Sequence, residues 1–442
     1  MFIRIGKKPQ KPPENSMILA SGAYLPDDRG RSILFFGSSG SGKHFYYTGP
    51  NIMQCNTSYV VTDPSGGLHQ QYGKFLEAKG YKVRCLNLAR MDKGNHYNPF
   101  RYIHNDKDVV DLVNALITNT TPRDWNAPIG ESYYGEMETM LLTALITYLH
   151  KYGTYDQQNF SSVTGMLRTF HADRADGIEH SGVDALFDKV RALEPESFMV
   201  KQYDEFCLKA KTEIGGILIS CAVRLMAFDL PDIAEFTKTD DIDLESVCKE
   251  KTALFIITPT SDTSFNFIAA MMYTQLFDIL ARYGADGKEP AIHTHLLLNE
   301  PEMTLVPDFG DRIETAKKCG VTTTLFVHSP EVMARAYSAD WENISEKCDA
   351  AILASQQGDV MEWFHKYTGM ASRKEAGAGR KRFIGVLGRR KTSNEDAGIY
   401  LEDIRMLSED ECLVAVKGAP VKKMLKYAAK SHPSWSAVKD ER

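Results

Sequence analysis

Residues 37–44, Gly37-Ser38-Ser39-Gly40-Ser41-Gly42-Lys43-His44, are the residues of this chain whose types and spacing best suit chemistry, and that chemistry is the holding of phosphate. Glycines at 37, 40 and 42 let backbone N–H groups converge on an anion with no side chain in the way. Lys43 stands where a helix should begin, so its ammonium and the positive end of the helix point at one place. The apolar run Ile33 to Phe36 reads as a buried strand. It supplies the strand–loop–helix setting that separates a phosphate loop, G-x-x-x-x-G-K, from an ordinary glycine-rich turn. One position departs from the pattern. Where Ser or Thr would offer Mg2+ a hydroxyl, this chain has His44, read as a first-turn residue facing solvent with no metal role. Imidazole is a poor ligand for a hard cation, so Mg2+ should be held less well and no metal ligand set is assigned.

Three further stretches end at residues suited to such a site. Ser58 to Asp63 reads as a strand closing on a carboxylate, which either faces a ligand at the strand's carboxyl end or caps a turn or helix. His293 to Glu300 runs through three leucines into Asn299-Glu300. Phosphate-loop ATPases place at that end an Asp that orients Mg2+ and often a Glu that polarises the attacking water. Asn299 keeps the hydrogen-bonding shape and loses the charge, while Glu300 is the candidate general base. Strand Val321–Val327 ends at His328, placed to sense a γ-phosphate or to serve structure alone.

The elements that must position these residues alternate. Helix 68–79 and strand 82–87 follow Asp63, and strand, helix, strand at this spacing means a parallel sheet with crossover helices. From 105 to about 236 the strand pattern disappears. Asp106–Asn119, Ser132–Lys151, Val163–His171, Ala185–Leu193 and Lys211–Phe228 carry apolar residues at helical spacing. Alternation returns with strand 252–258, helix 266–283, helix 307–318, strand 350–355, helix 360–368 and edge strands near 413–416 and 424–427. The expected organisation is therefore a flexible lead-in over 1–17, an α/β domain in two parts over 18–104 and 246–442, and an all-α domain inserted over 105–245.

Composition narrows the class. A chain of 442 residues with 43% hydrophobic and 25% charged content is an ordinary globular protein of about two domains. A net charge of −6 gives no global basic field for nucleic acid, so any such surface is local. Arg380-Lys381-Arg382 and Arg389-Arg390-Lys391 are the candidates, read either as a solvated hairpin or as a DNA contact. Eight cysteines without C-x-x-C spacing favour reduced thiols in the cytoplasm. No run approaches the roughly 18 apolar residues that a membrane span needs.

With these residues laid out, the chain resembles the type IV secretion coupling protein family, the conjugative DNA-transfer ATPases. Gly49-Pro50-Asn51-Ile52-Met53-Gln54 follows the phosphate loop, then Ser58 to Pro64 and Asn95-His-Tyr-Asn-Pro-Phe100. Later come Thr252 to Ile257, Thr263 to Ile268, Met272 to Phe277, Leu425-Lys-Tyr427 and His432-Pro433. The resemblance implies a RecA-like phosphate-loop fold with the inserted all-α domain. It also implies ATP with Mg2+, a homo-hexamer at the inner face of the plasma membrane, and partners that are single-stranded DNA, its relaxase or another secreted protein, and channel components. It assigns the nucleotide phosphates to 37–44, a place beside them to Asp63, Asn299, Glu300 and His328, and an inter-subunit role to Lys317.

The departures from the family gather at the chemistry. His44 stands for Thr or Ser, Asn299 for Asp, His328 for Gln, Lys317 for an arginine, and Ser65-Gly66-Gly67 for Lys-Gly-Glu; the usual preceding membrane helices are missing. Each lost metal ligand or arginine-type charge costs about 10³ in such enzymes. Two readings follow. One is a coupling protein that binds nucleotide with impaired hydrolysis, and the other is an inactive paralogue serving as an assembly or adaptor piece.

Overall fold

The computed structural model describes residues 11–27, 29–38, 40–121, 133–259, 261–285, 291–354, 358–368 and 407–440. The strands are β1 Ser16–Ala20, β2 Ala23–Pro26, β3 Ser32–Phe36, β4 Ser58–Thr62, β5 Lys82–Asn87, β6 Thr252–Ile257, β7 Thr294–Asn299, β8 Thr322–Val327, β9 Ala350–Leu353, β10 Glu411–Val416 and β11 Lys422–Leu425. β1 and β2 pair as a hairpin, and the other nine form one sheet in the order β11-β10-β9-β3-β8-β7-β4-β6-β5. From β9 to β5 every pair is parallel, while β10 and β11 add an antiparallel edge.

Strands covered on both faces have no polar side, and β3, β4, β6, β7 and β8 are buried along their whole length. Successive side chains divide between the faces. Leu34, Phe36, Val60, Leu296 and Leu298 join one core, and Ile33, Phe35, Tyr59, Val61 and Leu297 the other. Helices α1 Gly49–Met53 and α2 Gly67–Ala78 cover the second face together with the hairpin.

The first face is covered by a run of helices: α3 Asp106–Thr120, α4 Tyr133–Tyr152, α5 Phe160–Ala175, α6 Gly182–Leu193, α7 Phe198–Ala210, α8 Ile214–Leu225, α9 Pro231–Phe236 and α10 Ser246–Lys249. No strand interrupts them among the described residues. α11 Asn266–Ala285, α12 Phe309–Lys318, α13 Pro330–Tyr337, α14 Ala339–Lys347 and α15 Gly358–Thr368 alternate with the later strands, and α16 Trp435–Asp440 closes the chain. α7 and α9 were not expected from the sequence. Ser16 and Met17 fall in the span expected as lead-in, yet both are buried in β1.

The family-like motifs prove to be joints. Asn51 brackets Ile18 of β1, its Oδ1 accepting from the N–H at 2.9 Å and its Nδ2 donating to the carbonyl at 3.0 Å. Gln54 ties Ser16 O at 2.7 Å and His432 Nε2 at 3.0 Å, so one side chain joins both termini to α1. Tyr97 donates to Gln275 Oε1 and Gln275 donates to Pro99 O, which anchors the entry to the helical run on α11.

Candidate phosphate-binding site

Parallel register brings three strand ends together. Phe36 pairs with Val327 and Asn299 with Phe326, so Gly37, His328 and Glu300 leave β3, β8 and β7 side by side. This is the carboxyl edge of an open parallel sheet, where ligands of such folds sit. Gly37 N–H donates to Val327 O at 3.2 Å and Ser41 N–H to Ser38 O at 3.0 Å, folding the loop back on itself. Gly40 and Gly42 have φ of 85° and 75°, the left-handed region that glycine alone enters without strain. No atom lies within 4 Å of where a Cβ on Gly40 would be, so the loop opens onto free space there. The chain then enters a π-turn over His44–Thr48 that runs into α1.

Lys43 reaches across this edge. Its Nζ stands 3.6 Å from Glu300 Oε1 and 3.5 Å from His328 Nε2, and those two atoms are 2.9 Å apart. Nε2 cannot both donate to Glu300 and accept from Lys43. With the proton directed at Glu300, the ammonium's ion-pair partner among the described residues is Glu300 at a loose distance, which leaves it able to exchange that carboxylate for a phosphate. Glu300 itself has φ of 53°, uncommon for a residue other than glycine and a form of strain that gathers at functional sites.

Burial lowers the Lys43 pKa against the pull of Glu300. The His328 hydrogen bond, then Lys43, holds Glu300 below the usual carboxylate range, which suits an ion-pair partner better than a proton acceptor at neutral pH. Burial, reinforced by the Lys43 charge, brings His44 down to about 4, so its imidazole is neutral. The solvent-facing position expected for His44 is therefore corrected: the side chain is only partly exposed and its Nε2 is buried.

Several polar atoms here are buried with no partner among the described residues: Ser41 Oγ, His44 Nε2, Asn299 Oδ1 and Asp63 Oδ1. The glycine cradle, Lys43 and the open space at Gly40 fit an anion of phosphate type. The donor set fits Mg2+ poorly, since a neutral imidazole and a carboxamide replace a hydroxyl and a carboxylate, and Glu300 is engaged with His328.

The remaining candidates are engaged in other ways. Asp63 Oδ2 accepts from His69 N–H at 2.8 Å, so this carboxylate caps the first turn of α2, and burial raises its pKa. Lys317 sits at the end of α12, ion-paired with Asp349 at 2.7 Å; Asp349 in turn accepts from Ser32 N–H, at the amino end of β3 and so at the edge opposite the phosphate loop. Ser39 and the basic residues Arg380, Lys381, Arg382, Arg389, Arg390 and Lys391 lie outside the described residues. Sequence reasoning missed Tyr46, Asp410 and Lys426, which touch the loop from outside; the one signal was the Leu425-Lys-Tyr427 motif.

Comparison with known proteins bears on this geometry. Residues 5–430 match the family model described as type IV secretory system conjugative DNA transfer. Among solved structures, the plasmid coupling protein TrwB in complex with the ATP analogue ADPNP is 14% identical, with 96% of this chain and 93% of that chain covered and a TM-score of 0.62. TrwB with ADP and Mg2+ gives 15% identity, 95% and 90% coverage and the same score of 0.62. VirB4 of Thermoanaerobacter pseudethanolicus gives 9% identity, 96% and 98% coverage and 0.50. At these identities the likeness is one of fold. No protein of curated function matches the sequence significantly.

Proposed function

The chain belongs to the type IV secretory system conjugative DNA transfer family, and we propose that it serves its transfer apparatus as a nucleotide-binding coupling component with impaired hydrolysis. The observation that carries this reading is Lys43, loosely held between Glu300 and His328 at the mouth of an open glycine loop. The loop and Lys43 bind the β- and γ-phosphates of ATP, with His328 and Asn299 beside them. Mg2+ arrives on the nucleotide's own oxygens and waters, with little added by the protein. Glu300, held as an ion pair, makes a weak base, and hydrolysis is slow.

The same proposal extends to partners. The family role points to single-stranded DNA with its relaxase or another secreted protein, to channel components, and to a hexamer at the inner face of the membrane. No described helix is long and apolar enough to cross a membrane. In the hexamer Lys317 would have to leave Asp349 to act on a neighbouring subunit, and the basic residues of 380–391 are the proposed DNA contact. The helices of 105–245 are proposed as an inserted domain between the two parts of the nucleotide-binding domain.

A second reading, a silent paralogue acting as an assembly or adaptor piece, is favoured by the neutral buried imidazole of His44 and the carboxamide of Asn299 at the metal positions. Titration calorimetry with ADPNP, with and without Mg2+, separates the two. Binding that survives chelation supports the first reading, and no binding under either condition supports the second.

A further inference from the structure

The phosphate loop is gripped from outside by residues 364 and 385 positions further along the chain. Lys426 Nζ donates to the carbonyl of Ser41 at 3.2 Å and stands 5.4 Å from the centroid of the Tyr46 ring. The Tyr46 hydroxyl donates to Asp410 Oδ1 at 2.9 Å. The edge of that ring lies against Gly42 so closely that a Cβ there would come within 2.5 Å of Cδ2. Lys426 and Asp410 are joined in turn. Lys426 N–H donates to Asp410 O at 2.7 Å, one rung beyond the last β10–β11 pair, Glu411 with Leu425. A single rung of the edge hairpin thus holds the loop at Ser41 and, through Tyr46, at Gly42, the two residues ahead of Lys43.

The position of these grips matches where the loop is weakest. Glycine loses more conformational freedom than any other residue when it is fixed, and Gly40 and Gly42 flank Ser41. The Ser41 hydroxyl has no partner among the described residues, so the order they give this turn comes from its backbone and from whatever holds that backbone. A half-buried ammonium on a carbonyl oxygen and a tyrosine fixed by a carboxylate supply that order before any ligand arrives, and order present beforehand strengthens binding.

We propose that Lys426 and Asp410, acting through Ser41 and Tyr46, are positioning residues that keep the phosphate loop in the shape that receives a nucleoside di- or triphosphate. The proposal rests on the nucleotide reading above. It makes the antiparallel edge of the sheet part of the site, so that a displacement of the β10–β11 hairpin would be felt at Lys43 through two contacts together.

The experiment uses the full chain and its variants Lys426→Met, Lys426→Arg, Asp410→Ala and Tyr46→Phe, with two readouts: calorimetric affinity for ADP, and amide hydrogen exchange of residues 40–46 without nucleotide. Lys426→Met, Asp410→Ala and Tyr46→Phe should each weaken ADP binding about tenfold and speed exchange across 40–46, with the thermal midpoint little changed. Lys426→Arg, which can still donate to Ser41, should restore both. Wild-type affinity and exchange in Lys426→Met and Asp410→Ala would overturn the proposal. If the unaltered chain binds no ADP, the nucleotide reading fails on its own, and the exchange measurement still decides whether the hairpin orders the loop.

Discussion

Glu300 and His328 share a hydrogen bond of 2.9 Å at the ends of adjacent parallel strands, and the bond engages the carboxylate proposed as the general base. Lys43 completes the group at 3.6 Å from the same oxygen. On the function proposed above, such a site would hold nucleotide more than cleave it.

Removing Lys43 should abolish that holding. Lys43→Ala takes away the only ammonium that, among the described residues, the strand ends bring to the proposed phosphate site, and leaves Glu300, a like charge, facing it. The affinity for ADPNP should fall about a hundredfold or more by calorimetry, with the fold unchanged by circular dichroism. Affinity within a few-fold of wild type would mean that the loop binds something else.

Metal dependence should be shallow. With His44 and Asn299 at the metal positions, chelating Mg2+ should change ADP affinity less than about tenfold. The double variant His44→Thr with Asn299→Asp restores a hydroxyl and a carboxylate and should gain a steep Mg2+ requirement, read by titrating with and without EDTA. A steep requirement in the unaltered chain would contradict the assignment of His44.

Much of this was legible in the sequence. The leucine run into Asn299-Glu300 was readable because a strand buried on both faces leaves a continuous apolar signature. The strand over 82–87 is a partly exposed edge strand, readable instead from its place after helix 68–79 in the alternation. The β1–β2 hairpin was not readable, since its order comes from Asn51 and Gln54, which reach it from another element. Asp63 was left open between ligand and cap, and the structure gives it the cap of α2. The grip of Lys426 and Asp410 on the loop could not be read, because contacts between residues so far apart leave no local pattern.

Within the helical run, the buried pair of Glu138 and Arg224 makes a sharp stability test. Arg224 Nε lies 3.1 Å from Glu138 Oε2, and its Nη1 reaches Thr120 Oγ1 at 2.6 Å. Glu138→Ala strands a buried guanidinium and should cost about 3–5 kcal/mol by urea unfolding. Removing both partners should cost clearly less than the sum of the single losses. Additive losses would mean that the two side chains do not interact.

Stability should fall on the acid side. Burial lowers His295 to about 3, and His44 and His432 to about 4. Between the ordinary histidine pKa, near 6.5, and those values, the unfolded chain binds protons that the folded chain refuses. These groups therefore leave stability intact above about pH 6.5 and erode it as pH falls through 4, at about 1.4 kcal/mol per pH unit for each imidazole. A urea midpoint that stays level from pH 7 to 4.5 would contradict the burial of these rings.

The most direct test of the central claim is single-turnover phosphate release, with the purified full chain in excess over ATP, Mg2+ saturating and single-stranded DNA present. The account predicts tight nucleotide binding with release at about 10⁻³ s⁻¹ or slower, several orders below an ordinary ATPase. Release near 1 s⁻¹ that requires Mg2+ and vanishes in Glu300→Gln would show that Glu300 is a working base, and the claim would fall.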